Sequence, residues 1–213
     1  MSAQPKAHYT LEEYFELEKT SEVRYEYWDG EVFDMSGVSP RHSLLESNLN
    51  LNLRLALRGR NCLVFPANAR IKVPSVPPYR YADLSVACGN PVYETTGGIE
   101  ALTNPILIIE VLSPSTEAYD RGDKFTWYKS IPSLKEYLLI AQHRPHITQY
   151  VKQDDDSWSY SEVNDLTAVL QLPSIGCELV LTDVYQDVEF PPQPHLSLAP
   201  ERSLELDGNS LLH

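Results

Sequence analysis

What this 213-residue sequence lacks narrows it first. No apolar run approaches the roughly 18 residues that a membrane-spanning helix needs, and the opening Met1-Ser-Ala-Gln-Pro-Lys6 has no apolar stretch of the signal-peptide kind. Cysteine is scarce. Cys62, Cys88 and Cys177 are odd in number and form no Cys-x-x-Cys pair, so they read as small core hydrophobes in a reducing compartment. The expected location is therefore cytoplasmic. Cations are outnumbered: 17 Lys and Arg against 30 Asp and Glu leave a net charge of −13. That balance argues against coating nucleic acid by bulk electrostatics. It does not exclude a protein whose carboxylates recruit metal ions, because the ions bring the compensating charge. No internal repeat is present.

What is there describes a globular chain, with 42% hydrophobic and 22% charged residues. The length suits one well-filled core. The expected organisation is a single domain over residues 1–190. From residue 191 onward the Pro-rich chain loses periodicity and reads as a loosely ordered tail.

Thr10-Leu-Glu-Glu13 is a capping box, which predicts a short helix over 11–19. Asp29-Gly30 suits a two-residue turn of a hairpin with strands over 23–28 and 31–36. On that register Glu26 and Glu31 lie opposite the apolar face and are expected to be solvated. Ser39-Pro40 is a helix cap followed by Pro in the first turn. From Pro40 to Arg60 no residue is β-branched, so the leucine pattern of this stretch reads as a helix ended by Gly59. Short strands are predicted over 62–65, 69–73 and 81–87, and an exposed connection over 89–104. A helix is expected over 117–130, capped by Ser115 or Thr116. Strands follow over 136–141, 147–152, 158–163 and 178–181, then a helical turn over 182–186. His143-x-x-His146, with no acids or cysteines nearby, makes a weak metal pair.

The stretch Pro105-Ile-Leu-Ile-Ile-Glu110-Val-Leu-Ser-Pro114 organises the rest. Its continuous apolar run is that of a strand covered on both faces. One carboxylate, Glu110, is set into it. Burying an ionised carboxylate is costly unless it is paired, protonated or bound to metal. An ion pair with a core Lys or Arg would satisfy that; so would a metal. Asp83, in Tyr81-Ala-Asp-Leu-Ser-Val-Ala87, shares its face with the small residues Ser85 and Ala87. Two such carboxylates from neighbouring strands could hold one Mg²⁺, a hard ion that prefers oxygen. A nearby lysine would complete a phosphodiester-hydrolysing site. A serine hydrolase built on Ser113 or Ser115 has little support: there is no Gly-x-Ser-x-Gly, and Ser-Pro-Ser-Thr reads as strand exit and helix cap.

Several blocks carry a resemblance. They are Arg24-Tyr-Glu-Tyr-Trp-Asp-Gly-Glu31, Ser39-Pro-Arg-His42, Tyr81-Ala-Asp-Leu-Ser-Val86, Asn104-Pro-Ile-Leu-Ile-Ile-Glu-Val-Leu-Ser-Pro-Ser-Thr116, Tyr119-Asp-Arg-Gly-Asp-Lys124 and Pro132-Ser-Leu-Lys-Glu-Tyr-Leu139. Over 8–189 the chain resembles a large bacterial family of restriction-endonuclease-like proteins in the PD-(D/E)XK nuclease superfamily, long regarded as a domain of unknown function. The resemblance implies an α/β fold, a restriction-endonuclease-like mixed central sheet flanked by helices and extended by N- and C-terminal hairpins. It makes Asp83 and Glu110 the metal carboxylates, binding Mg²⁺ with Mn²⁺ as an alternative. The superfamily lysine would stand two residues after Glu110, where this chain has Leu112. The family appears with that lysine on the following helix, which points to Lys124, with Lys72 as a rival. His42 falls in a family block and is a candidate proton carrier. The implied activity is an endonuclease acting on DNA, with a homodimer expected. The alternative is a catalytically silent scaffold or binding module of the same fold, with Glu110 ion-paired to Lys124.

Overall fold

A computed structural model describes residues 8–191 apart from positions 36, 38 and 77. The tail expected from residue 191 thus lies almost wholly outside the described residues. Helix α1 (Leu11–Thr20) begins in the expected capping box: Thr10 N–H donates to Glu13 Oε2 and Glu13 N–H to Thr10 Oγ1. Strands β1 (Tyr25–Trp28) and β2 (Glu31–Asp34) form the first hairpin. Asp29 and Gly30 both take positive φ, 47° and 81°, as the tight turn between right-twisted strands requires. Helix α2 (Pro40–Ala56) is capped by Ser39, whose Oγ accepts the His42 N–H. Leu45, Leu49 and Leu53 form its buried stripe, while Leu51 and Leu55 stay exposed. The four-residue recurrence therefore wins over the alternation.

Next come β3 (Cys62–Pro66), β4 (Arg70–Ile71), β5 (Arg80–Tyr81), β6 (Leu84–Cys88), β7 (Tyr93–Thr96), β8 (Ile99–Leu102) and β9 (Leu107–Leu112). A helical segment follows, made of α3 (Glu117–Tyr119), a five-residue π turn (Asp120–Lys124) and α4 (Phe125–Tyr128). The chain closes with β10 (Glu136–Ala141), β11 (Ile147–Lys152), β12 (Trp158–Val163), β13 (Val169–Leu172), β14 (Cys177–Val180) and α5 (Leu181–Val184).

The central sheet has six strands in the order β12-β11-β10-β9-β6-β3. Only β9 and β10 run parallel, and the helical segment is their crossover. Every residue of β9 is buried, so the strand is covered on both faces. Its alternate residues sort to the two sides. Leu107, Ile109 and Val111 join the cluster of α2, and Ile108 and Leu112 join that of Phe125 and Tyr128. Glu110 belongs to the second side by the period of two. A four-stranded sheet, β5-β4-β8-β7, and the β13-β14 hairpin complete the fold.

Several expectations are corrected. The strand expected over 81–87 is two strands in different sheets: β5 pairs with β4, and β6 pairs with β3 and β9. The break falls at Ala82-Asp83, where the Asp83 side chain replaces the backbone as partner of β9. The strand over 69–73 shortens to two residues. The connection over 89–104 is not an exposed loop but the β7–β8 hairpin, turned by Gly97-Gly98 at φ 59° and 82°. A Cβ on Gly97 would stand 2.3 Å from the Phe15 ring, so α1 packs on a turn that only glycine permits. The helix after β9 has no side-chain cap bond from Thr116. Finally, Cys62 and Cys88 are directly opposed on β3 and β6 and form a disulfide. Their spacing of 26 residues carries no local signal of pairing, which arises only from the register. Cys177 is a free, half-buried thiol.

Candidate active site

Asp83 sits where β6 begins, beside the carboxyl end of β9. Its Oδ2 accepts the Val111 N–H at 2.6 Å and its Oδ1 lies 3.0 Å from His42 Nε2. His42 is in the first turn of α2 and is buried by that packing. Burial lowers its proton affinity, but the hydrogen bond and charge of Asp83 outweigh this and hold it above the usual 6.5. Glu46, one turn further on the same helix face, brings a second carboxylate. One ligand atom each from His42, Glu46 and Asp83 lie within 4.8 Å of one another. Burial, reinforced by Asp83, raises the Glu46 carboxyl.

Glu110 stands on the opposite face of β9 from α2. Its Oε1 lies 2.9 Å from Lys124 Nζ and accepts the Tyr128 hydroxyl at 3.1 Å. Lys124 is also 3.5 Å from Asp120 Oδ1, and all three charged groups are buried. Asp120 and Lys124, four residues apart in the π turn, share one helix face and are both buried there. Burial pushes the Glu110 carboxyl well above its usual 4.5, against the pull of Lys124. Burial alone would favour the neutral amine at Lys124. Glu110 and Asp120 outweigh it and hold the ammonium well above 10.5. Asp120 is likewise raised by burial.

A third group buttresses this one. Glu26 is buried rather than solvated, which corrects the hairpin reading. Its Oε1 accepts the Tyr81 N–H at 2.8 Å, its Oε2 accepts the Tyr119 hydroxyl at 3.2 Å, and Arg80 Nε lies 3.8 Å away. The alternation along β1 is intact, but the domain covers Glu26 on the second face, while Trp28 and Phe33 on that face stay exposed. Arg80 is fully buried, with its guanidinium 4.9 Å from the Trp127 ring centre.

Asp83, Glu110, Lys124, Glu46, Arg24 and Tyr81 line one cleft of about 360 Å³. The structure thus brings Asp83, Glu110 and Lys124 into a common cleft, with His42 bonded to its floor. Lys72 is elsewhere: its ammonium is bound by Glu94 at 2.7 Å and lies near Thr96. His146 is buried against Asn164 and Thr148 rather than joined to His143. Glu46 and Asp120 were missed by sequence reasoning. Four-residue spacing from His42 was the available signal for Glu46. Asp120 stands four residues before Lys124, the spacing of an ordinary helix-surface ion pair.

The fold is similar to that of a solved structure described as "a putative nuclease belonging to DUF820" from Anabaena variabilis ATCC 29413. The TM-score is 0.65 at 19% identity, over 83% of this chain and 97% of that one. The protein therefore shares that mixed α/β fold. The family model Uma2, "Putative restriction endonuclease", matches residues 11–184, and the chain belongs to that family. Two relatives from Synechocystis sp. (strain ATCC 27184 / PCC 6803 / Kazusa) are each 34% identical. "Uncharacterized protein slr1290" matches over 84% of this chain and 92% of its own length. "Uncharacterized protein sll1609" matches over 72% and 86%.

Proposed function

We propose that this protein is a divalent-metal-dependent endonuclease that hydrolyses phosphodiester bonds of DNA. The observation that carries the reading is the convergence of Asp83, Glu110 and Lys124 on one cleft, with a buried ammonium held against a strand carboxylate. The donor set fits a divalent cation. Asp83 and Glu110 offer the oxygens that Mg²⁺ prefers, and the cluster of His42, Glu46 and Asp83 adds an imidazole that suits Mn²⁺ as the alternative.

When bound, the cation polarises the phosphoryl group and acidifies the attacking water. Asp83 is the group placed to bind it, because Val111 N–H and His42 fix both of its oxygens. Glu110 is the second carboxylate. Lys124 carries positive charge to the scissile phosphate, where charge builds up during displacement. His42, bonded to Asp83 and held above its usual 6.5 by that carboxylate, can hold or release a proton beside it.

The proposal includes a homodimer whose two clefts face one duplex, with bound metal supplying the positive charge that the acidic chain lacks. Among the described residues no helix is long and apolar enough to cross a membrane.

A second reading is a silent scaffold, favoured by one observation: Glu110 is already satisfied by Lys124 and Tyr128. Calorimetric titration of Mg²⁺ and Mn²⁺ into wild type and Asp83→Ala, run beside plasmid cleavage, separates the two. Metal binding and cutting that both vanish in the variant support the nuclease. Wild type that binds no metal supports the scaffold.

A further inference from the structure

We propose that Asp120 is a positioning residue that takes over Lys124 when Glu110 turns to a divalent cation; this deepens, and rests on, the nuclease reading. The ammonium of Lys124 is shared between two buried carboxylates, Glu110 at 2.9 Å and Asp120 at 3.5 Å. In the nuclease reading Glu110 has a second task. A carboxylate that gives charge to a cation holds an ammonium less firmly, and a buried ammonium without an anion is strongly disfavoured. Lys124 would then swing or lose its proton at the step that needs it charged and aimed.

The other groups facing Lys124 cannot take its charge. Tyr119 and Tyr128 present rings 5.8 Å and 5.9 Å from Nζ. Tyr137 spends its hydroxyl on the Asp120 carbonyl at 3.0 Å. Glu26 is committed to Tyr81, Tyr119 and Arg80. Asp120 remains, and it is built in. Its side chain is buried in the π turn, and the Tyr137 hydroxyl, donating to its carbonyl, ties that turn to β10. Held from one side by its own helix, the ammonium keeps one direction while Glu110 changes partner. Preorganised direction is what a charge-stabilising group needs.

The test compares wild type, Asp120→Asn and Asp120→Glu, each titrated with Mg²⁺ and assayed on plasmid DNA. Asp120→Asn is expected to lower kcat by roughly 100-fold, the scale of a misplaced catalytic group. KM and Mg²⁺ affinity should stay within a few-fold, and Asp120→Glu should restore part of the loss. Lysine side-chain ¹⁵N NMR reads the position without turnover. Wild type should keep a slowly exchanging Lys124 ammonium signal with and without Mg²⁺, whereas Asp120→Asn should keep it without Mg²⁺ and lose it with Mg²⁺. Should Asp120→Asn fail to fold, Tyr137→Phe releases the turn that carries Asp120 and should show a milder version of the same split. A signal retained in the Mg²⁺-loaded variant, or kcat within about three-fold of wild type, overturns the role while leaving the nuclease standing. Wild type that neither binds Mg²⁺ nor cuts DNA overturns both.

Discussion

Asp83 Oδ2 accepts the backbone N–H of Val111 at 2.6 Å, joining the start of β6 to the residue after Glu110. Ladder pairing between these strands runs only from Leu84–Ile109 to Val86–Leu107. Beyond it the side chain of Asp83 does what the next backbone carbonyl would have done. The two acids of the site are thereby held in fixed relation by one short bond, and the strand is released to turn into a different sheet.

Substituting either acid should silence the site and spare the fold. Asp83→Asn keeps an oxygen for Val111 and should abolish Mg²⁺ binding and DNA cleavage. Glu110→Gln should also abolish cleavage. Because Asp120 still faces Lys124, its urea midpoint without metal should be at or above that of wild type at neutral pH. A clearly lower midpoint would make Glu110 a structural partner of Lys124 and favour the scaffold.

Lys124 rather than Lys72 should carry the cation's role. Lys124→Met is expected to cut turnover by several orders of magnitude with metal affinity retained, whereas Lys72→Ala should change it less than a few-fold. Leu112 shares the Glu110 face of β9, packed in the same cluster as Tyr128. The double change Lys124→Leu with Leu112→Lys should therefore return part of the activity. An inactive Lys72→Ala beside an active Lys124→Met would reverse the assignment.

Acidification should stabilise the metal-free protein. Burial, reinforced by Asp83, raises Glu46 above its ordinary 4.5, so folding takes up a proton there. That contribution is fully present below 4.5 and is lost as pH climbs through the raised value. His42 acts in the same sense above 6.5, since Asp83 outweighs its burial. Glu94, Asp155, Asp156 and Asp165 are lowered and act oppositely, but they lie in full solvent and weigh little. The urea midpoint should thus fall as pH climbs from about 4.5 through the raised values, and saturating Mg²⁺ should flatten the fall. A midpoint that rises over this range contradicts the electrostatics described above.

The Cys62–Cys88 bridge should be countable. Protein denatured without reductant should offer one reactive thiol, Cys177, and three after reduction. Closing a loop of 26 residues, the bridge should contribute about 3 kcal/mol. Three reactive thiols without reductant would return both cysteines to the plain core role their sequence context suggests.

Local chemistry was legible where it acts alone. Thr10-Leu-Glu-Glu13, Asp29-Gly30 and Ser39-Pro40 each fix a backbone geometry within a few residues, and each appears where expected. The β9 strand announced itself because burial on both faces leaves a continuous apolar run. What escaped depends on partners distant in sequence. Glu26 reads as solvated until Arg80 and Tyr119 are brought to it, and Cys62 finds Cys88 only through register. Asp120 looks like half of an ordinary helix pair because a π turn leaves no mark in the spacing. Gly97-Gly98 was different: that dipeptide is a hairpin signal in its own right and could have been read as one.

The hairpin of β1 and β2 has a bearing on where this chain can be shortened. A version starting at Ser39 would keep the six-stranded sheet and Asp83, Glu110, Lys124 and His42, so it would look sufficient by inspection. It would lack Glu26. Arg80 would then remain inside the protein without the carboxylate 3.8 Å from its Nε, and the Tyr81 N–H and Tyr119 hydroxyl would lose their acceptor. An N-terminal trim that removes no cleft acid would therefore loosen β5 and the start of the crossover helix, the two segments that flank Asp83 and Lys124. The β1–β2 hairpin belongs to the working unit as much as the sheet does.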